Sequence, residues 1–495
     1  MWTRFTVVFS FLLSLNGVIG IKSDFEVEYY WKQIKYEKLP LSEHEYIGKY
    51  PYYIPENNAL MGISHYSPGG LILLTVPRTR PGIPSTLNAF CDVEYEYAKI
   101  SPYLWGFPDY HVNTLKESYY GDSHHGDYSH GDYYSGDYSH GSKGRALDHD
   151  DPRNYSAGYL DYFFGRRLNN ESDVQARKSN KQPYYEKYDY SIVSVFSPSI
   201  HKDCDRFYAV DTGTLEYGPH GSYRVQDPAI LTYQLSPTCC TTKDFPLLRR
   251  IEIPNNMYKN PAGFIHITVD SQYKSKSTCD DVFIYLPNIY DNCLVVCDYK
   301  KGEFWALTDK TMSPVYAESH LVYSGFHYTF PSGISTVNTG VEDKDGNANT
   351  YYTPVANFGM YSVNSRILKD SKRASKYNQD DYKTLGYRGC DSQSFHQNID
   401  SDTGVMFIQQ MQYKQIRCWN TKNPINSDHI GVVYESEDLD FVSDISIDAA
   451  DGYMRFISGP FLKNYVTDIP IDISKVNTKI YRGKITEIIK GTVCD

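Results

Sequence analysis

Apolar residues in this chain gather in short runs, and almost none recur at helical spacing. Leu71–Val76, Phe207–Val210, Phe283–Leu286, Tyr351–Val355, Val405–Ile408 and Tyr453–Ile457 are each followed by a break rich in Gly, Pro, Asn or Asp. A second run follows most of them: Ile230–Tyr233, Leu294–Cys297, Met360–Val363, Gln415–Trp419 and Leu462–Val466. β-branched and aromatic runs bounded by turn formers predict paired strands. From Phe207 onward the leading runs start 76, 68, 54 and 48 residues apart, and the first gap, 136 residues, falls to the high sixties once a block of about 70 residues is set aside. Six sheet-forming units at this spacing predict an all-β fold, a six-bladed β-propeller. Stacked sandwiches would need shorter and more even intervals.

The block set aside has a pattern of its own. From Gly121 it repeats every five residues, with Gly at 121, 126, 131, 136 and 141 and Asp, Tyr, Ser and His between them. Such sequence buries too little apolar surface to offset its ordering entropy, so residues 117–186 are expected to form a disordered low-complexity insertion. The expected organisation is a signal peptide over 1–20, a first propeller part over 21–116, the insertion, and the rest of the propeller over 187–495.

Composition narrows the function classes. The 495 residues carry a formal charge of −11, which argues against a broad nucleic-acid surface. Beyond the N-terminus no apolar run reaches the roughly 20 residues that span a bilayer, so no membrane partner is expected. Arg4 followed by the apolar stretch Phe5–Leu15 and a small residue at Gly20 has the layout of a secretory signal, so the protein is expected outside the cell. There the sequons at Asn154 and Asn170 are glycosylation candidates. Ten cysteines suit an oxidising compartment, and their even number permits full pairing with the connectivity left open. Cys293 and Cys297 could be read as half a zinc site, but no matching His or Cys pair stands at zinc-finger spacing, so structural disulfides with partners left open are expected rather than a metal.

Chemistry is harder to place. No nucleophile elbow, phosphate loop, HExxH or dinucleotide fingerprint occurs, no cofactor or resident metal is expected, and no catalytic residue stands out. The adjacent carboxylates Asp150-Asp151, Asp280-Asp281 and Asp380-Asp381 read as turn or rim residues, because neighbours on a strand point to opposite faces. The repeat histidines His124, His125, His130, His140 and His149 read as part of a solvated tail, with weak metal binding as the alternative. Tyr119, Tyr120, Tyr128, Tyr133, Tyr134 and Tyr138 offer exposed phenols for oxidative coupling into an extracellular matrix.

Several collinear blocks resemble the Yellow / major royal jelly protein family of insects. They include Val76-Pro-Arg-Thr-Arg-Pro-Gly-Ile-Pro-Ser-Thr-Leu-Asn88, Ser101-Pro-Tyr-Leu-Trp-Gly-Phe-Pro-Asp109, Cys204-Asp-Arg-Phe-Tyr-Ala-Val-Asp-Thr-Gly213, Cys279-Asp-Asp-Val-Phe-Ile-Tyr285, Cys418-Trp-Asn420, Phe441-Val-Ser-Asp444 and Gly491-Thr-Val-Cys494. The resemblance implies a secreted six-bladed propeller, and a role in pigmentation, eggshell hardening, dopachrome conversion or capture of biogenic amines. It also implies a ligand site. Phe461 matches the aromatic that covers a ligand ring, and Ser443 beside Asp444 matches the family's channel hydroxyl. Ser458-Gly459 stands where amine-binding relatives carry an Asn. Against the family pattern, Cys239, Cys240, Cys293, Cys297 and Cys390 look like additions. The expected function is a non-catalytic extracellular binding or structural protein of cuticle, eggshell or pigment deposition. Its partners would be a small aromatic amine or catechol and extracellular matrix proteins. The alternatives are a dopachrome-converting isomerase and a biogenic-amine carrier.

Overall fold

The six leading apolar runs all fold as the second strand of a four-stranded antiparallel sheet. A computed structural model of the chain describes residues 24–92, 101–115, 190–216, 222–271 and 278–495, apart from positions 43, 48, 49, 449 and 468. The signal segment, the two sequons and the glycine-repeat block lie outside the described residues. The six sheets are the blades of a β-propeller. Blade 1 is Ile63–Tyr66, Leu71–Thr75, Leu87–Cys91 and Trp105–Gly106, and blade 2 is Ser199–His201, Arg206–Asp211, Ala229–Gln234 and Leu247–Glu252. Thr268–Ser271, Val282–Asn288, Cys293–Asp298 and Glu303–Leu307 make blade 3. Blade 4 runs Ile334–Thr339, Asn349–Pro354, Gly359–Asn364 and Tyr382–Tyr387, and blade 5 runs Gln397–Ile399, Val405–Gln410, Gln415–Asn420 and Ile430–Glu435.

Side-chain alternation explains how blades stack. In Leu71–Thr75 every residue is buried, yet successive residues serve different neighbours. Leu71 and Leu73 pack with Phe207, Ala209 and Leu231 of blade 2, whereas Ile72 and Leu74 pack with Ile457, Ile480 and Trp31 of blade 6. The same rule gives one apolar core at each of the six blade interfaces. A strand buried on both faces reads as a continuous apolar run, which is why these strands are visible in the sequence.

The last blade is completed by the first strand. Phe441–Asp448, Tyr453–Gly459 and Thr478–Lys484 supply three strands, and Phe25–Trp31 adds the outermost one, with Phe25 opposite Gly483 and Trp31 opposite Thr478. A Cβ on Gly483 would lie 2.8 Å from the Phe25 ring, so only glycine lets the closing strand sit this close. The predicted second run of this blade, Leu462–Val466, is instead part of a short helix, Phe461–Val466. Pro460 precedes it, and Phe461 and Tyr465, one turn apart, stack at 5.8 Å on a single buried face, a spacing a strand would have split across two.

Cysteine pairing departs from expectation. Disulfides join Cys91 to Cys240, Cys204 to Cys279 and Cys418 to Cys494, while Cys239, Cys293, Cys297 and Cys390 are free. Cys240 is therefore part of a staple between blades 1 and 2 rather than an extra residue. Cys293 and Cys297 share one strand, where positions four apart stand roughly 13 Å from each other, too far to bridge. Burial pushes both thiols up to about 12, and they act as small apolar groups in the core between blades 2 and 3.

Where blade 6 meets blade 1, His65 of blade 1 adds buried charge contacts to the apolar packing, and Arg455 and Glu28 of blade 6 extend that network. Nδ1 of buried His65 lies 3.3 Å from Asp448 and 3.1 Å from Asp451, Arg455 reaches Asp451 at 2.8 Å, and Arg455 also donates to Glu28 of the closing strand at 3.0 Å. Burial alone would lower the His65 pKa, but hydrogen bonds to Asp448 and Asp451 outweigh it and raise the pKa above its ordinary value. A raised histidine stabilises the fold fully below its unfolded value of about 6.5, and that contribution is lost as pH rises through the folded value. His65→Gln is thus expected to cost about 1.5–3 kcal/mol in chemical denaturation near pH 5.5. The gap from the parent protein should narrow steadily toward pH 9; a gap independent of pH would contradict the charged pairing.

Candidate ligand site in the axial channel

The innermost strands of the six blades run side by side around the propeller axis, and their polar residues face inward. At one end the channel is stoppered by apolar side chains that lead into these strands, among them Met61, Phe196, Ile265, Phe330, Phe395 and Phe441. The helix Phe461–Val466 and the ribbon His320–Tyr323 with Phe326–Thr329 cover this stopper. Within it Glu216 accepts hydrogen bonds from Tyr290, at 2.9 Å, and from Tyr465, and burial raises its pKa.

Beyond the stopper the channel opens into a cavity of about 520 Å³. Its lining includes the carboxylates of Asp203, Asp270, Glu342, Asp402, Asp444 and Asp448 and the imidazoles of His65, His201 and His266, and no lysine or arginine among the described residues. Asp270, deeper in, is neutralised by Lys369 at 2.9 Å. Volume and concavity suit a molecule of one or two rings, and the sign of the lining favours a cation.

The floor of the cavity holds a buried acid–base group. Asp444 Oδ1 meets His396 Nε2 at 2.8 Å, and Oδ2 accepts from the Ile63 amide at 2.9 Å and the Ser197 hydroxyl at 3.0 Å. Burial alone would raise the Asp444 pKa, but His396 beside it, helped by His266 and the Ile63 amide, brings it below the ordinary carboxylate value. The His266 ring lies 5.3 Å from that of His396, and burial, then His396, lower its pKa to about 3, so His266 is neutral at physiological pH. Asp444 and His266 line the cavity with buried His396 behind Asp444, which makes those two the members placed to move a proton on a bound molecule.

The chain also resembles known proteins. A family model described as "Major royal jelly protein" matches residues 193–494. The chain belongs to that family. The Yellow-related salivary protein SP03 of Phlebotomus perniciosus is 32% identical over 306 residues, which cover 61% of this chain and 74% of that protein. The Yellow-related salivary protein LJM111 of Lutzomyia longipalpis is 29% identical over 307 residues, covering 61% and 73%. L-dopachrome tautomerase yellow-f of Drosophila melanogaster is 25% identical over 445 residues, covering 90% and 83%.

The residues that the family resemblance singled out fall at the boundary between stopper and cavity. Phe461 is buried in the stopper, with its ring 6.4 Å from that of Phe441. Ser443 sits where the register slips between Val442 and Asp444, a β-bulge, and its buried hydroxyl has no hydrogen-bond partner among the described residues. Ser458 Oγ accepts from the Asp440 amide at 2.8 Å, and Asp444 alone of the four lines the cavity. His266 and His396 escaped the sequence reading. The signal was there: Phe196-Ser197, Ile265-His266 and Phe395-His396 each place an apolar residue and then a polar one just before the innermost strand of a blade.

Asp444→Asn would weaken the buried bonding to His396, the Ile63 amide and the Ser197 hydroxyl and is expected to destabilise the protein by about 1.5–3 kcal/mol at pH 7. Since the Asp444 pKa is lowered in the fold, its contribution exists above the unfolded value of about 4 and disappears as pH falls through the folded value. Denaturation midpoints of parent and variant should therefore converge in acid.

Proposed function

We propose that this major royal jelly family member is a non-catalytic extracellular binding protein that takes a small aromatic amine in its axial channel. The observation that carries the reading is the cavity itself, about 520 Å³, whose lining holds six carboxylates and no lysine or arginine among the described residues, so that acidic groups outnumber the cations that meet them, Lys369 at Asp270 and the histidines at Asp444 and Asp448. A protonated amine gains from that field, and Ile63, Ile267 and Ile399 contribute apolar surface to the same lining. Titration calorimetry of the full protein with serotonin, dopamine and octopamine tests this. Micromolar affinity is expected, together with weaker binding of the parent amino acids, whose carboxylate the lining repels. Asp402→Asn should weaken amine binding about tenfold, the equivalent of about 1.4 kcal/mol. Absence of heat with all three amines would overturn the reading.

The buried His396–Asp444 pair with neutral His266 supports a second reading, dopachrome conversion, and so does the likeness to a protein named L-dopachrome tautomerase. Isomerisation needs a base to take a ring-carbon proton and an acid to return one, and such a cluster could do both. The carboxylate of L-dopachrome opposes this, because it would enter a channel of like charge. The expected outcome is dopachrome decay at the buffer rate. Acceleration that is abolished by His396→Gln, with the fold intact by circular dichroism, would put the catalytic reading first.

A further inference from the structure

Above the stopper, the ribbon His320–Tyr323 and Phe326–Thr329 turns through Ser324 and Gly325, both at positive φ. Alternation gives its two faces different work. Leu321, Tyr323 and Tyr328 point inward to the apolar stopper, and the Tyr323 hydroxyl donates to Asp440 at 2.7 Å, which anchors the ribbon. His320, Val322 and His327 share the outward face and are exposed. Val322 lies directly opposite His327, so His320 is the diagonal neighbour of His327. Diagonal pairs on one face of a ribbon lie within reach of long side chains.

The two imidazoles meet. His320 Nε2 and His327 Nδ1 are 3.4 Å apart, and the ring centroids are separated by 5.5 Å. That nitrogen spacing has a specific chemical meaning. Two imidazole nitrogens at about 2.0–2.1 Å from one tetrahedral zinc ion stand about 3.3–3.4 Å from each other. The ribbon therefore holds the donor atoms near chelating distance before any ion arrives, on a support anchored by its inner face with the outward face open. We propose that His320 and His327 form a two-histidine site for a borderline divalent transition ion, zinc or copper(II), on the cap of the propeller. Calcium and magnesium are excluded as occupants, since they take oxygen donors. Two coordination positions stay with water or with a donor from another molecule. The site is separate from the axial cavity and does not depend on an amine being bound there.

Because other histidines occur in the chain, the test reads each residue separately. The full-length protein, at about 0.15 M ionic strength with and without a micromolar excess of zinc chloride, is treated with diethyl pyrocarbonate, and modification of His320 and His327 is quantified by peptide mass spectrometry. Zinc should slow modification of both by about tenfold, EDTA should restore it, and magnesium at the same concentration should have no effect. In His320→Asn, which leaves the ribbon's buried face unchanged, zinc should no longer protect His327, because a single imidazole does not chelate. Copper(II) titrated into the parent should give a nitrogen-coordinated electron paramagnetic resonance signal, and that signal should lose one equivalent in the variant. Equal modification with and without zinc, or protection of His327 that survives His320→Asn, would overturn the proposal.

Discussion

The contact on which the propeller depends is the seam between its last blade and its first. A ring of blades has no edge only if both ends of the series meet, and here carboxylates of one inner strand make the joint. Asp444 holds the Ile63 amide, Asp448 holds His65 and the Ser67 amide, and Phe25–Trp31 lies outside them as a fourth strand. Apolar packing between Ile457, Ile480, Ile72 and Leu74 adds the bulk of the adhesion, as at every other interface. What distinguishes the seam is its directional polar bonding, which selects one register for a joint made between distant parts of the chain.

The same residues tie closure to the channel. Asp444 belongs at once to the seam, to the floor of the cavity and to the pair with His396, so the acid–base group is held by the ring-closing contact itself. The bulge at Ser443 fits this economy: one extra residue re-aims the strand just where the apolar stopper gives way to polar lining. Blade 4 carries a comparable slip between Ile334 and Val337 at the corresponding level.

Blade number and order could be read from the chain because second and third strands are buried on both faces and stay apolar throughout. Innermost strands such as Gln397–Ile399 are short and polar where they face the channel, and outer strands such as Tyr382–Tyr387 are largely exposed, so neither stands out against loops. Leu462–Val466 was misread because its composition suits a strand equally well and only the contact of Phe461 with Tyr465 decides. The site was less legible still. Asp444 and Phe461 came from family resemblance, whereas His266 and His396, 130 positions apart, become neighbours only once two blades are in place. An even count of cysteines permitted full pairing, but Cys293 and Cys297 are buried in the core between blades 2 and 3 as free thiols, and no count of cysteines reveals which of them face a partner.

The placement of Phe25–Trp31 also dictates an order of events during synthesis. This segment leaves the ribosome before the other blade strands, yet its partner Thr478–Lys484 emerges only after five blades have been made. Through nearly all of translation an apolar, aromatic strand has no mate and must be kept from mispairing with other exposed edges. Blade 6 and the seam are therefore the final steps of assembly, and the axial cavity takes its finished form only when the two ends of the chain have found each other.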